Sequence, residues 1–226
     1  MPMHAGPARR AAAAAVAAGT ALAGYVTLVR PKILRWGASD EEAAERLPGD
    51  EVVEQPRYQT THAVIIKAPP RAVWPWLVQL GQGRGGLYSY DWLENLFGLG
   101  FRSADRILPD LQTLQVGDRV WLAPRDSAMP LWYQVLDLQP PQALVLGPHG
   151  DRQEALAQGL PWPTWTFVLR ELGDGATRLI VRMRSDFKPT PLGVLANKYA
   201  LEPVHFAMER KMLLGIKDRA EQAAER

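Results

Sequence analysis

The sequence contains no cysteine, and this absence excludes disulfide bonds, zinc–thiolate sites and cysteine nucleophiles. Histidine is scarce as well, with four residues in the chain: His4, His62, His149 and His205. No serine lies in a nucleophile-elbow motif, and local spacing assembles no serine–histidine–acid triad. Groups for acid–base or covalent catalysis are therefore few, and the sequence predicts no catalytic residue.

Acidic residues are missing from the first 35 positions, which carry five basic side chains. The remaining positions carry 21 basic and 24 acidic side chains, a net charge of −3. Because binding to nucleic acid depends on neutralising its phosphates, we do not expect this mildly acidic part to bind nucleic acid. With 226 residues, the chain is long enough for one domain with a sizeable core and an appendage.

Charged residues of either sign are missing from Ala11 to Val29, and basic residues flank this run on both sides. As a helix, the run would be about 28 Å long, close to the hydrocarbon thickness of a bilayer. We predict that residues 1–35 form a single membrane-anchor helix that crosses at 11–29, and the flanking charges slightly favour a cytoplasmic domain. Two alternatives stay open: a signal peptide cleaved before Gly24, and an alanine-rich helix on the protein surface.

The rest of the chain divides at about residue 59. Residues 36–58 are polar and are interpreted as a linker, and residues 59–226 as the domain. Apolar patterning predicts six strands, over 60–68, 119–123, 131–138, 143–146, 164–172 and 176–185. Two short helices are expected after the first strand, and one long helix from Pro203 to about Ala223. Short connections require antiparallel pairing, so we predict an α+β fold with one sheet packed against the long helix.

Three stretches of this part are distinctive: the junction Ala68–Trp74 (APPRAVW), the hairpin strands over 164–185, and the C-terminal helix. Together with the order of the elements, they resemble the START-like (SRPBCC) superfamily, in particular its polyketide cyclase/dehydrase-type members. The segments GQGRGGLYSYDWLENL, SADRILP and EPVHFAMERKMLLGIK are similar to a bacterial subgroup within it. The resemblance covers about residues 36–220. It implies the helix-grip fold, in which a curved antiparallel sheet is wrapped around a long C-terminal helix. Because the superfamily includes lipid carriers, cyclases, hormone-binding proteins and coenzyme Q-binding proteins, it implies the fold more than the function.

A glycine-rich segment, residues 81–86, satisfies the pattern G-x-G-x-x-G, but a predicted helix rather than a strand precedes it. The dinucleotide fingerprint requires a strand before the glycines, so neither a nucleotide nor another cofactor is predicted. We interpret Gly83, Arg84 and Gly85 as a gating loop at the mouth of a cavity. Arg84 either meets an anionic head group there or stays solvated.

Nine residues are predicted to contact a ligand, and the alternative for each is ordinary packing in the core. They are Tyr88, Tyr90, Trp92, Trp165, Phe167, Met183, His205, Met208 and Met212. His205 would lie in the first turn of the long helix, where the helix dipole and burial favour a neutral imidazole. Such a ring can both donate and accept a hydrogen bond, as recognition of a ligand hydroxyl or carbonyl requires.

The alternative for His205 is a structural pairing with Glu202 or Glu209, which lie on the same face of the predicted helix. No metal site is expected from these three residues, because no cysteine and no second histidine lies near them in the sequence.

We expect the domain to bind a hydrophobic small molecule or lipid between the sheet and the C-terminal helix, at a membrane surface, without catalysis. This function requires an apolar cavity of at least about 300 Å³. A cyclase- or hydrolase-type enzyme would need a titratable group inside the same cavity. A structural or partner-binding module would instead have a filled interior and an exposed apolar patch.

Overall fold

Six β-strands form one antiparallel sheet in the computed structural model of the protein, which describes residues 7–96, 98, 100–127 and 130–225. The strands are β1 Tyr58–Ile66, β2 Arg119–Trp121, β3 Trp132–Gln139, β4 Ala143–Gly147, β5 Trp162–Glu171 and β6 Thr177–Asp186. Their order across the sheet is β1-β6-β5-β4-β3-β2, with every neighbouring pair antiparallel. All six predicted strands are confirmed.

Eight α-helices accompany the sheet in the described residues. They are α1 Pro7–Gly24, α2 Arg30–Leu34, α3 Asp40–Ala44, α4 Pro70–Val78, α5 Asp91–Leu96, α6 Arg152–Ala157, α7 Pro191–Ala196 and α8 Glu202–Ala224. Turns of π-helix, Tyr25–Val29 and Asn197–Leu201, join α1 to α2 and α7 to α8. The two short helices after β1 and the long C-terminal helix are confirmed, whereas α6 and α7 were not predicted. The α+β architecture is compatible with a helix-grip fold.

The inner face of the sheet, as we call the face covered by α8, is apolar. The turn Gly173-Asp174-Gly175 joins β5 to β6, and in the resulting register Phe167 lies opposite Val181. Because side chains alternate along a strand, both point inward, where they form one core with Met212 and Ile216 of α8. The alternation visible in the sequence therefore decides which side chains meet the helix.

Gly215 of α8 allows the helix to approach the chain segment that follows the glycine-rich residues. A Cβ atom at this position would lie 2.4 Å from the carbonyl oxygen of Tyr88. The backbone of Tyr88 has a φ of 56°, in the left-handed region that side-chain-bearing residues rarely adopt. The close contact between these two residues fixes where α8 passes beneath the loop.

The outer face of the sheet is covered by residues 36–57, the segment that the sequence analysis interpreted as a linker. Leu47 packs there in a small apolar cluster with Ala63, Val168 and Ile180. The segment also carries α3 and a 3₁₀ turn, Asp50–Val53. These residues are packed against the sheet along most of their length rather than extended between two parts of the molecule.

The N-terminal helices contact the rest of the protein at the start of α8. Arg30 donates two hydrogen bonds to the Glu202 carboxylate, at 2.7 and 2.9 Å, and the Tyr25 hydroxyl donates to the Lys198 carbonyl at 3.2 Å. None of the helices in the described residues is both long and apolar enough to cross a membrane. The predicted membrane anchor over residues 11–29 is therefore not supported.

Candidate functional site

A cavity of about 280 Å³ lies between the inner face of the sheet and α8. It is slightly smaller than the about 300 Å³ that the ligand-binding prediction required. Its wall is built by strands β3, β5 and β6 and by helix α8. The residue after β2, the residue before β3 and the segment after the glycine-rich residues complete it. The lining residues are Leu87, Ser89, Leu122, Leu131, Tyr133, Trp165, Met183, His205, Met208, Glu209 and Met212.

Five of the nine predicted ligand-contacting residues lie on this wall. Trp165 of β5 and Met183 of β6 are directly opposite each other in the sheet register, so both point into the cavity. His205, Met208 and Met212 come from α8 at spacings of three and four residues, which places them on one face of the helix. The strand register and the helical period together bring these five side chains to one place.

The other four predicted residues lie elsewhere. Phe167 is fully buried in the core, with its ring centroid 4.8 Å from that of Trp165. Tyr88 is also buried, and its hydroxyl accepts a hydrogen bond from Gln79 and donates one to the Trp76 carbonyl. Tyr90 and Trp92 pack against each other with ring centroids 6.4 Å apart, and Trp92 is exposed.

The predicted gating loop does not line the cavity either. Gly81 and Gly86 form an isolated β-bridge that closes the loop on itself. Gly85 packs so closely on Gln79 that a Cβ atom would lie 2.7 Å from its carbonyl oxygen. Arg84 donates two hydrogen bonds to backbone carbonyls, and its side chain lies outside the cavity with Gly83. The loop is therefore held by contacts to the backbone, and it lies outside the cavity that the methionines of α8 line.

One end of the cavity is polar because of Glu209, a residue that the sequence analysis did not assign to the site. Its side chain is 1% exposed. It accepts hydrogen bonds from Nδ1 of His62 and, at 2.7 Å, from Nε1 of Trp165. Burial by itself raises the pKa of a carboxyl, but the charges that His205 and His62 carry at acidic pH and these two hydrogen bonds outweigh it and lower the pKa of Glu209. The group is therefore a carboxylate.

His62 of β1 carries the charge that compensates this carboxylate. Its Nε2 donates at 2.7 Å to the Ile33 carbonyl oxygen, which can only accept, while Nδ1 donates to Glu209. Burial lowers the pKa of His62, but the charge of Glu209 and the hydrogen bonds to Glu209 and Ile33 together raise it above its ordinary value. The pair is a buried imidazolium–carboxylate pair that ties α2, β1 and α8 together.

His205 occupies the boundary between this pair and the cavity. Its side chain is 26% exposed, and its Nε2 lies 3.8 Å from a Glu209 oxygen. Burial lowers the pKa of His205, so the ring is neutral near pH 7. Its Nδ1 lies 3.1 Å from the Tyr58 hydroxyl, which stays protonated because burial raises its pKa far above the ordinary value.

This geometry selects one tautomer of His205. A lone pair on Nε2 would face the Glu209 carboxylate and be repelled by it, whereas an N–H on Nε2 is attracted. The Tyr58 hydroxyl then donates to Nδ1. An N–H donor and a carboxylate acceptor therefore lie side by side in the wall of the cavity, whose surface is almost entirely apolar.

Neither His62 nor Glu209 was predicted to belong to the site, although a signal was present. Glu209 falls on the apolar stripe of α8 that continues through Met212 and Ile216, so an acidic residue occupies an inward position. His62 lies on the same face of β1 as Val64 and Ile66. A charged group on each of two inward faces indicates a buried pair, but the partners are far apart in the sequence.

The described part of the chain contains no group of three or more histidine, aspartate or glutamate side chains arranged to hold a metal ion. Glu202, which shares a helix face with His205 in the sequence, instead binds Arg30.

No protein-family model and no curated protein matches the chain. Solved structures do match it. A hypothetical protein from Helicobacter pylori is 11% identical, with a TM-score of 0.46, over 78% of this chain and 96% of its own. A protein from Nitrosomonas europaea is 11% identical, with a TM-score of 0.43, over 78% of this chain and 99% of its own. The Aha1 dimer from Colwellia psychrerythraea is 16% identical, with a TM-score of 0.40, over 73% and 96%.

Proposed function

We propose that the protein binds a hydrophobic small molecule or lipid in the cavity between the sheet and α8, as a START-like, helix-grip protein. The observation that carries the proposal is an apolar cavity whose one polar end presents the His205 N–H and the Glu209 carboxylate. A hydroxyl can accept from the first and donate to the second, and a carbonyl can accept from the first. The ligand is therefore an apolar molecule with one hydroxyl or carbonyl group.

The size of the cavity limits the ligand. At about 280 Å³, it accommodates a compact ring system or a short acyl chain rather than a whole diacyl lipid. Met183, Met208 and Met212 line it, and methionine side chains re-pack readily around different shapes. We expect affinities in the micromolar range, about −8 kcal/mol.

The membrane surface stays part of the proposal because of the region around α7. Leu192 is 78% exposed, Leu201 60% and Val204 53%, and the segment 187–201 contains two lysines and no acidic residue. Exposed apolar side chains with basic neighbours are typical of segments that lie on an anionic membrane, such as the cytoplasmic leaflet. Val204 adjoins His205 in α8, so contact of this region with a membrane would bring the cavity close to apolar molecules dissolved in the bilayer.

The first experiment compares two tryptophan substitutions on α8. Met208→Trp fills the cavity, whereas Val204→Trp adds the same side chain on the exposed side of the helix. A fluorescent fatty acid or polycyclic probe titrated into the full chain should bind wild type and Val204→Trp alike and fail to bind Met208→Trp. Equal binding by all three folded proteins would exclude the cavity as the site.

The second experiment tests the polar end. Removing the His205 imidazole should weaken binding of a hydroxyl-bearing probe by about 1–3 kcal/mol, because the ligand hydroxyl loses its donor. His149→Ala is the matched control, since His149 stacks on Trp132 and does not line the cavity. An unchanged affinity in His205→Ala would refute the role given to this residue.

A cyclase- or hydrolase-type enzyme is the second candidate, because two titratable groups, His205 and Glu209, line the cavity. Glu209 already accepts hydrogen bonds from His62 and Trp165, which lowers its basicity and favours binding over catalysis. Mass spectrometry of organic extracts incubated with wild type and with His205→Ala separates the two functions. A bound compound of unchanged mass supports binding, whereas a new product that requires His205 supports catalysis.

A further inference from the structure

A second pocket, of about 490 Å³, lies between the glycine-rich loop and the end of β2, separate from the apolar cavity. Arg119 and Trp121 of β2 line it, whereas Val120 between them belongs to the core. Because neighbouring side chains of a strand point to opposite faces, the pocket opens on the side of β2 away from α8. Arg84, Arg125 and Asp126 complete the charged part of its wall. We call this site the arginine pocket.

The three arginines of the pocket form no direct ion pair within the described residues. Asp126 is the one acidic residue among the lining residues, and in the described part of the chain no carboxylate lies within 4.0 Å of any of the three guanidinium groups. Arg84 donates only to neutral groups, the carbonyls of Val78 and Leu111, at 3.0 and 3.1 Å. Burial lowers the pKa of Arg84, and the charge of Asp118 offsets this effect only in part.

Two hydrogen-bond donors beside the pocket are left without a partner. Nε of Arg84 and Nε1 of Trp121 are both removed from solvent, and neither donates to any atom of the described residues. Nearly all buried polar groups in folded proteins are paired, so two orphaned donors on residues of one pocket require an explanation. Both donors belong to residues that line the pocket.

The two remaining guanidinium groups are held by aromatic rings. Arg119 lies over the Trp132 ring at 4.4 Å from its centroid, and Arg125 lies over the Trp121 ring at 5.1 Å. Stacking uses the flat face of a guanidinium and leaves the N–H groups on its edge available for a ligand. Donors from the loop, from β2 and from the segment after β2 therefore surround one pocket.

We propose that the arginine pocket binds a phosphate group, carried either by a soluble phosphorylated molecule or by a lipid head group. Arginine forks match phosphate oxygens and form charge-assisted hydrogen bonds with them. A phosphate offers more acceptor oxygens than a carboxylate and so suits donors that come from three segments. The volume exceeds the need of one phosphate, so a further phosphate or part of the attached molecule fits beside it.

The direct test follows the orphaned indole of Trp121 while inorganic pyrophosphate is added to the full chain. The Trp121 Nε1–H signal in a heteronuclear NMR spectrum, identified by its loss in Trp121→Phe, should move as phosphate binds beside the Trp121 ring and Arg125, which lies over it. Calorimetry should give an affinity that falls as the salt concentration rises. An indole signal that does not move at millimolar pyrophosphate, with no binding to vesicles, would overturn the proposal.

The variants use the two exposed arginines, so that loss of binding cannot come from misfolding. Arg119→Gln and Arg125→Gln should each weaken binding about tenfold, and the double variant more, because each removes a charge-assisted hydrogen bond. Arg71→Gln, which removes an exposed arginine outside the pocket, is the matched control. A double variant that binds like this control would also overturn the proposal.

Vesicles distinguish the two sources of the phosphate. Phosphatidylcholine vesicles with and without phosphatidic acid are sedimented with wild type and the double variant. Retention that requires both phosphatidic acid and the two arginines assigns the pocket to a lipid head group. Pyrophosphate binding without such retention assigns it to a soluble phosphorylated molecule. Both results are independent of the apolar cavity, which Met208→Trp blocks without touching the arginine pocket.

Discussion

On the outer face of the sheet, arginines hold the covering segment in place, whereas apolar side chains hold α8 on the inner face. Arg182 of β6 is almost fully buried and donates to Thr61, to Asp50 and to three backbone carbonyls of residues 42–45. All of its donors are used, and Asp50 also accepts from the Leu47 backbone. The outer contact is therefore specific, because the five donors of Arg182 match five acceptors.

The contact between the sheet and α8 on the inner face is less completely packed. Its core is apolar, but the region beside Trp165 and Met212 is left as a cavity, and His205 is the one partly exposed member of the buried polar group there. Voids lose contacts and lower stability. The outer face is therefore built for stability, while the inner face keeps a cavity beside the titratable side chain of His205.

The largest effect should come from breaking the outer contact. Arg182→Ala leaves the buried Asp50 carboxylate without its main partner and should cost about 3–5 kcal/mol of the free energy of unfolding. Urea denaturation measures this, and limited proteolysis should then cut within residues 36–57. A loss below about 1 kcal/mol would mean that the segment is held by its apolar cluster instead.

The next effect comes from the close contact between α8 and the backbone of Tyr88 on the inner face. Gly215→Ala puts a Cβ atom 2.4 Å from the Tyr88 carbonyl oxygen, so the helix or the loop must shift, at a cost of about 1–3 kcal/mol. Gly173→Ala is the control, because no atom lies within 4 Å of a Cβ at that position. Equal stability of the two variants would show that the loop yields without cost.

A smaller effect is expected from the two histidines of the inner face, whose contributions to the free energy of unfolding should depend on pH in opposite directions. The folded-state pKa of His62 is raised, so its stabilising contribution is complete below about pH 6.5 and is lost as the pH rises through that folded-state value. The pKa of His205 is lowered, so the unfolded chain takes up a proton first, and stability is lost as the pH falls below about 6.5. Glu209, whose pKa is lowered, contributes fully above about pH 4.5.

The measurement is urea unfolding at about pH 5.5 and about pH 9, on both sides of the histidine range. His62→Gln should cost more stability at the lower pH, whereas His205→Gln should cost less there than at the higher pH. Two variants with the same dependence on pH would contradict the assignment of one charged and one neutral imidazole.

The smallest effect is expected from a second arginine on the outer face. Arg170 of β5 donates at 2.8 Å to Glu45, in the same segment that Arg182 holds, but both side chains of this pair are partly exposed. Arg170→Gln should therefore cost less than about 1 kcal/mol. A cost similar to that of Arg182→Ala would remove the distinction between buried and exposed pairs on this face.

The sheet and the long helix followed from the sequence because their signals are local. Alternation over β5 and β6, a glycine-rich turn between them, and a 3.6-residue period in α8 each occupy one short stretch. The five cavity residues that were predicted correctly in position follow from these periods alone. Ligand binding by them stays a prediction.

Pairings between distant residues did not follow from the sequence. Arg182 alternates with Val181 and Met183, as a solvated arginine also would, and its burial depends on Asp50 and on carbonyls of residues 42–45, which are far away in the sequence. Glu209 likewise requires His62 and Trp165. At the N-terminus, residues 11–29 are uncharged but alanine contributes little hydrophobicity, and the predicted anchor stays unsupported.

The position of β1 beside β6 has a consequence for how the chain acquires its structure. Tyr58 pairs with Ser185, so the first strand to leave the ribosome has no neighbour in the sheet until the last strand has been made. Contacts of such long sequence separation slow folding, because the loop between them must close before they form. During synthesis β2 to β5 can assemble in order, while the apolar side chains of β1 stay uncovered. Chaperone dependence and aggregation of truncated chains should therefore persist until β6 has been made and α8 has covered the inward side chains of β1.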